Sequence, residues 1–592
     1  MVGFCMTRRS GPGRAGSAID GWALSSPAPE ELFQQVLDDG TTVLIDGHPY
    51  GMPLHRLARE LAAENDALLA RVDGYFAALV LGQDGSVRGC CDRTGARTLY
   101  WSATPAGELA IASRWDLVPP AELNWDPYGL TETLRYRLST GTATLLRGVS
   151  QLPRRHRIAF PPAGEPRHEA LPPLVDWPAA HEEVSFRQKI EETRAALETS
   201  LGTAADTYDQ AAVLLSGGVD SSLIAAIAKA KFRKCLLVTP IFPGDQNPEL
   251  VVARAFAAAL GTEHLLVPID ERAFEADLRT LVRLTGMQVN FHMLAMHQLF
   301  RAIPEEYPLV VLGDAADTLF GTKLYAGVAR RLRLKQRADR LPSTPANALS
   351  RLPLRRARAL ADLRRRNALD VALEPFAIPY DEASLAIVAG IGDADLGGTY
   401  AHRRIRQHLA DAGGDDAPAL RHVHAYIGLN GRTAQHFSEE LLSSACFGKS
   451  YFQPFLSPPD LEAARTLTDA QYFGKQHAKP VLRELACEHY DRRLIYRKKH
   501  GFEVPYVDWL EGPLAHLVER VRHERRLFDG RLLADLSVRG HYPLIWSLIN
   551  FQLAAEALAD TDTDTRSAPL GIGASADRAG ASAPPPGTQR RR

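Results

Sequence analysis

The chain has 592 residues, 45% hydrophobic and 23% charged, with 69 Lys and Arg against 70 Asp and Glu for a formal net charge of −1. That length holds more than one core, and about three or four domains at ordinary domain sizes. A balance so near neutrality gives no global case for nucleic acid or membrane as a partner, and no run approaches the roughly eighteen apolar residues of a membrane span.

The six cysteines (Cys5, Cys90, Cys91, Cys235, Cys446 and Cys487) show neither paired metal spacing nor a disulfide framework. That usage fits a reducing cytosol. Near the amino terminus, Arg8 and Arg9 are followed by Gly and Ser with no apolar run, so a cytoplasmic protein is expected. Residues 1–160 read as short β-type runs (42–45, 77–81, 99–102, 109–112) broken by Gly, Asp and Pro, which predicts a layered β-rich domain. A stretch over 161–180 carries Pro161, Pro162, Pro166, Pro172, Pro173 and Pro178 and is expected to be a linker at a domain boundary. Residues 183–203 place Val184, Ile190, Leu197 and Leu201 amid charge, the pattern of an amphipathic helix.

Next comes Ala212-Val213-Leu214-Leu215-Ser216-Gly217-Gly218-Val219-Asp220-Ser221-Ser222, then an Ala-rich run. It reads as strand, loop, helix. Gly217 and Gly218 let successive N–H groups turn into one concavity, and the helix start adds its positive dipole end, so the turn can hold phosphates. Asp220 is an anion in a phosphate site, which makes sense if Mg2+ lies between it and the nucleotide. No Gly-Lys-Ser/Thr follows, so the loop is not of the Walker type. The simpler alternative is a Gly turn before a helix capped by Asp220 or Ser221.

A second strand (235–240), a helix (249–260) and a third strand (264–267) continue a β-α-β-α-β pattern, which implies a parallel sheet with ligands at its carboxyl edge. A further strand, 309–312, ends in Gly313-Asp314-Ala315-Ala316-Asp317 and delivers two acids to that edge. Read by itself, Asp317 could merely cap the helix that follows. Residues 325–430 carry Arg-rich runs at 330–335, 354–358 and 363–366, which suggest helices with one basic face, either a solvated surface or a docking site for an acidic peptide. Residues 559–592 are too poor in apolar side chains to form a core and are expected to be disordered.

The Ser-Gly-Gly-Val-Asp-Ser-Ser segment resembles the pyrophosphate loop of ATP pyrophosphatases that activate substrates as adenylates. Together with Asp73-Gly74-Tyr75-Phe76-Ala77, Asp92-Arg93-Thr94-Gly95, Gln453-Pro454-Phe455-Leu456, Lys479-Pro480-Val481-Leu482-Arg483 and Tyr496-Arg497-Lys498-Lys499-His500-Gly501-Phe502, it makes the chain similar to asparagine synthetase-like amide ligases. The resemblance implies a class II amidotransferase-like domain (1–160), the linker (161–180), an α/β synthetase domain with a helical C-terminal part (181–558) and a tail (559–592). ATP and Mg2+ are the implied cofactors. Leu215, Ser216, Gly217, Gly218, Val219, Asp220, Ser221, Ser222 and Gly313 are the implied nucleotide site, and Asp220 and Asp317 the implied metal ligands. By the same resemblance Lys499 takes the place of the family's catalytic lysine, a fixed ammonium for charge developing in acyl transfer. Asp314 stands where asparagine synthetases have Glu and β-lactam synthetases a Tyr; it could hold or deprotonate an amine, or only order its loop.

Several departures accompany these matches. Val2 stands where the family's nucleophilic Cys is exposed, and Cys5 is not second in the chain and so makes a poor replacement. The glutamine-binding loop reads Asp46-Gly47-His48-Pro49-Tyr50-Gly51, and Ser450, Phe452 and Ser457 replace the family's Glu, Arg and Asp. The acidic half of the β-lactam synthetase Tyr/Glu pair is therefore missing by this alignment. With no glutamine-derived ammonia, the amine is expected to belong to the substrate. Among these families lasso peptide cyclases fit best, closing a macrolactam between a peptide's N-terminal amine and a side-chain carboxyl. The alternatives are a β-lactam-type or other small-molecule amide synthetase, or an ammonia-dependent asparagine synthetase. The expected partners are a precursor peptide, a leader-binding protein and a leader protease, with a homodimer possible and neither nucleic acid nor membrane.

Overall fold

The computed structural model describes residues 3–8, 22–103, 108–118, 126–136, 141–172, 184–243, 248–286, 288–339, 432–474, 477–498, 504–524 and 536–564, with isolated positions between them. The fold is mixed α/β: two antiparallel sheets come first, then a parallel sheet, then helices.

The first sheet contains β1 (Cys5–Arg8), β2 (Trp22–Ser25), β7 (Tyr100–Ala103), β8 (Leu109–Ala112) and β9 (Val149–Gln151), in the order β2-β1-β8-β7-β9. The second contains β3 (Phe33–Val36), β4 (Thr42–Tyr50), β5 (Asp73–Leu81), β6 (Val87–Cys91), β10 (His156–Phe160) and β11 (Arg167–Ala170), in the order β11-β10-β6-β5-β4-β3. Phe4, just before β1, and Met6, Trp22 and Ile111 of the first sheet pack against Leu44, Leu79, Val87 and Ile158 of the second, which gives a two-layer core. The stretch expected to be a linker contributes β11, which pairs antiparallel with β10. Its prolines stay outside the ladder, because Pro161, Pro162 and Pro166 precede β11 and Pro172 follows it.

The parallel sheet comprises β12 (Gln210–Leu214), β13 (Lys234–Ile241), β14 (His264–Pro268), β15 (Leu309–Val311) and β16 (Ser450–Phe452), in the order β14-β13-β12-β15-β16. Every neighbouring pair is parallel. The chain leaves β12 toward β13 and β14 on one side and returns as β15 on the other, so the switch point lies between β12 and β15. A ligand crevice forms outside the carboxyl ends of strands at such a point.

Tyr50 and Tyr75 of the antiparallel domain belong to the same buried cluster as Tyr451 and Phe452 of β16, so the two domains share a continuous core. The last helix runs over Val538–Asp564, bent at His541 and containing Pro543, and so extends into the expected tail. Among the described residues no helix is long and apolar enough to cross a membrane.

Candidate functional site

The loop after β12 has the bend its glycines suggest. Gly217 has φ +74°, and a Cβ there would stand 2.7 Å from the Glu249 carbonyl oxygen. Gly218 caps the helix Val219–Lys231, which carries Asp220 in its first turn. The loop is tied by its own hydroxyls: Ser221 Oγ accepts from the Ser216 N–H at 3.1 Å, and Ser222 Oγ donates to the Val219 carbonyl at 2.9 Å. Leu215 is buried beneath it, its N–H donating to the Val238 carbonyl at 2.8 Å. From outside, Arg497 donates to the Gly217 carbonyl at 2.8 Å and pairs with the buried Glu249 carboxylate.

The loop after β15 abuts this one. A Cβ on Gly313 would lie 3.2 Å from the Ser221 nitrogen, so glycine is what lets the two loops meet. Ala315 then takes φ +67°, left-handed and unusual for alanine, and starts the helix Ala316–Phe320 with Asp317 in its first turn.

Asp220 and Asp317 converge on one cation, the ammonium of Lys479. Its Nζ lies 2.6 Å from Asp220 Oδ2 and contacts Asp317 Oδ1. Burial alone would lower the Lys479 pKa, but the two carboxylates raise it above the ordinary lysine value, so the group is charged. The other Asp220 oxygen, Oδ1, is buried with no hydrogen-bond partner. A buried carboxylate oxygen left bare beside a phosphate-type loop suits a hard cation. On that ground Asp220 and Asp317 fit Mg2+ held partly by phosphate oxygens. Among the described residues no group of three or more His, Cys, Asp or Glu is arranged to hold a metal by itself, so such an ion needs the nucleotide's oxygens.

Asp314 has a partner that the sequence alignment missed. Its carboxyl hydrogen-bonds Glu440, from the helix Arg432–Ala445. Burial raises both pKa values, Glu440 well above the usual carboxyl range, and the two acids raise Glu440 further by mutual repulsion. Tyr451 Oη donates to Glu440 at 2.7 Å, and Gln453 bridges Tyr451 Oη (2.7 Å) and the Asp314 N–H (3.0 Å). The acid beside Asp314 thus comes from the helix Arg432–Ala445, upstream of Ser450. Two adjacent acids at 439 and 440 on a buried helix were the available signal. Ser450 instead hydrogen-bonds Tyr208 at 2.7 Å, and Ser457 contacts Asp73 of the antiparallel domain.

In that domain the segment matched to a glutamine-binding loop is the end of β4, paired with β5. The Asp46 carboxylate is fully buried, accepting from Arg97 Nη1 at 2.7 Å and from Ser113 Oγ at 2.8 Å, while Ser113 Oγ accepts from the Phe4 N–H at 3.0 Å. The space beside Arg97, Ser113 and Arg114 is about 40 Å³, enough for about three waters and too small for an amino acid. Burial pushes the Cys5 thiol up to about 11, which leaves it a poor nucleophile. Val2 and Lys499 lie outside the described residues, as do 354–358 and 365–366 of the basic runs; the run at 330–335 sits on the helix Lys323–Asp339, with Leu332 buried and Arg330 and Arg333 exposed.

A parallel α/β domain with a Ser-Gly-Gly loop and two acids at its switch point, joined to a two-sheet domain, defines a nucleotide-using synthetase architecture. Residues 192–554 match the asparagine synthase family, and the chain belongs to it. It is 21% identical over 475 residues to asparagine synthetase [glutamine-hydrolyzing] 1 of Bacillus subtilis, covering 77% of this chain and 71% of that protein. Against asparagine synthetase relatives from Mycobacterium bovis and Mycobacterium tuberculosis it is 24% identical over 384 residues, 62% of this chain, and spans 57% of their length. Among solved structures, an NH3-dependent NAD synthetase from Campylobacter jejuni overlays 33% of this chain and 99% of that one, with 14% identity and a TM-score of 0.19.

Proposed function

We propose that this protein is an ATP-dependent amide ligase that adenylates a substrate carboxylate and joins it to an amine of the same peptide, closing a macrolactam as lasso peptide cyclases do. The observation that carries the reading is the buried Asp46 carboxylate, taken up by side chains of this chain in the segment that resembles a glutamine-binding loop. Asp46 is bound by Arg97 and Ser113 within the chain, which disfavours a glutamine there and supports a nitrogen that arrives with the substrate.

The loop of residues 215–222 with Gly313 binds the triphosphate through backbone N–H groups. Bound Mg2+, held by Asp220 and Asp317, would neutralise charge on the leaving pyrophosphate. The carboxylate attacks the α-phosphorus and the bond to pyrophosphate breaks. The amine then attacks the acyl carbon, AMP leaves, and the amine's proton passes to the Asp314–Glu440 pair. Two carboxyls that share one proton keep an acceptor available near neutral pH. Lys499, by its place in the family motif, would steady the charge on the acyl oxygen. Holding amine and adenylate in one molecule removes the entropy cost of an encounter and keeps water out. The basic run at 330–335, a leader-binding protein and a leader protease are part of the same proposal, as means of delivering a trimmed peptide.

The test is pyrophosphate release dependent on Mg2+, measured with candidate precursor peptides and, separately, with aspartate and small amino acid derivatives. Release with peptides, accompanied by a product lighter by one water, is expected; release only with small carboxylates would reject the peptide reading in favour of a small-molecule amide synthetase.

A further inference from the structure

Lys479 is held in a manner that a surface lysine would not require. Its side chain is 6% exposed, and its backbone has φ +57°, left-handed for a non-glycine residue directly before Pro480. Such a conformation is strained and persists only where the surroundings impose it. What imposes it here is the pair of carboxylates, Asp220 at 2.6 Å and Asp317 in contact. Arg483 also faces Asp220, but its guanidinium is tied to the carbonyls of Ala478, at 2.9 Å, and Ile495. Lys479 is thus the charge that bridges both acids. Asp317 has a side chain 66% exposed, so the pair is reachable from solvent, while Asp220 Oδ1 remains buried and unpartnered.

We propose that the Lys479 ammonium is a resident cation of the two-aspartate site, which excludes free divalent metal until nucleotide arrives and then moves onto the phosphates. Two carboxylates and one ammonium leave the site one negative charge. Adding a divalent ion without phosphate would place three positive charges against two negative ones at contact distance, and in a partly desolvated site that is unfavourable. A polyphosphate supplies the missing negative charge and a new partner for the ammonium. Metal would then load as a nucleotide chelate and not ahead of it. This inference rests on the reading of residues 215–222 as a nucleotide loop.

The test uses Mn2+ as the probe and the paramagnetic resonance signal of the free ion as the readout, on the full chain without peptide. Without nucleotide, wild type is expected to show no tight Mn2+ binding. Lys479→Met keeps the stem and removes the charge; it should bind Mn2+ on the order of 100-fold more tightly, the size expected for removing one unit charge at contact distance in a partly screened site. Adding Asp220→Asn to that variant should abolish the gain. Lys479→Gln serves as a second variant that retains hydrogen-bond donors should the methionine fail to fold. With ATP present, wild type should take up Mn2+. Equal Mn2+ binding by nucleotide-free wild type and both Lys479 variants would overturn the exchange and leave the nucleotide reading standing. Absence of Mn2+ uptake with ATP in every protein would overturn both.

Discussion

At the residue scale, Ala315 is the clearest case of conformation set by function. Its φ of +67° is left-handed, a conformation that favours glycine. Left-handed backbone costs an L-residue with a Cβ about 1–2 kcal/mol. Ala315→Gly is therefore expected to raise stability by about 1 kcal/mol, after glycine's own entropy cost, as a higher denaturant midpoint at unchanged slope. Glu440 gives a second residue-scale prediction. Its pKa is raised in the folded state by burial, so the folded protein holds a proton the unfolded chain releases. The resulting stability is fully present below the ordinary carboxyl value near 4.5 and is lost as pH rises through the raised folded value. Glu440→Gln should flatten that decline in a series of melts against pH; an unchanged slope would show that the pair does not share a proton.

At the scale of elements, the phosphate loop depends on a segment nearly 280 positions away. Arg497 donates to the Gly217 carbonyl and pairs with Glu249, whose carboxylate is 3% exposed. Removing one partner of a buried pair leaves an uncompensated charge and costs about 3–5 kcal/mol when no solvent reaches it. Arg497→Ala is accordingly expected to weaken ATP binding at least 10-fold by calorimetry, since the loop then loses its outer brace. A variant that binds ATP as wild type does would show that the loop does not need this brace.

At the scale of the whole molecule, the antiparallel domain is built into the synthetase site. Tyr50 donates to the Tyr451 carbonyl, the Gln453 N–H donates to Tyr75 Oη at 3.0 Å, and Arg154 donates to the Ala434 carbonyl at 2.9 Å. Gln453 and Tyr451 in turn hold Asp314 and Glu440, so contacts from the antiparallel domain reach the acid pair. His48 in this interface is pushed down to about 4, first by burial and then by Arg97, and it hydrogen-bonds Tyr208 at 3.1 Å. Its contribution is present above the ordinary histidine value of 6.5 and is lost as pH falls toward 4. Exposure of Tyr50 and Tyr75 to solvent, followed by tyrosine fluorescence or hydrogen exchange, should therefore rise over that acid window, and less so in His48→Gln.

Local chemistry was legible before any fold was known. The Ser-Gly-Gly turn after a buried strand, the Gly-Asp turn of 313–317 and the alternating strands and helices follow from glycine conformations, runs of aliphatic residues and helix starts, all confined to a dozen or so neighbouring residues. Within the Pro-rich stretch the short strand β11 lies between prolines and pairs with β10, a partnership the local sequence does not show. Three features were decided only by the tertiary structure: the ammonium between Asp220 and Asp317, the Glu440 partner of Asp314, and the closure of Asp46 by Arg97 and Ser113. Each joins groups far apart in the chain, and each depends on burial, which strengthens charge interactions and shifts protonation only once distant elements have packed around the group.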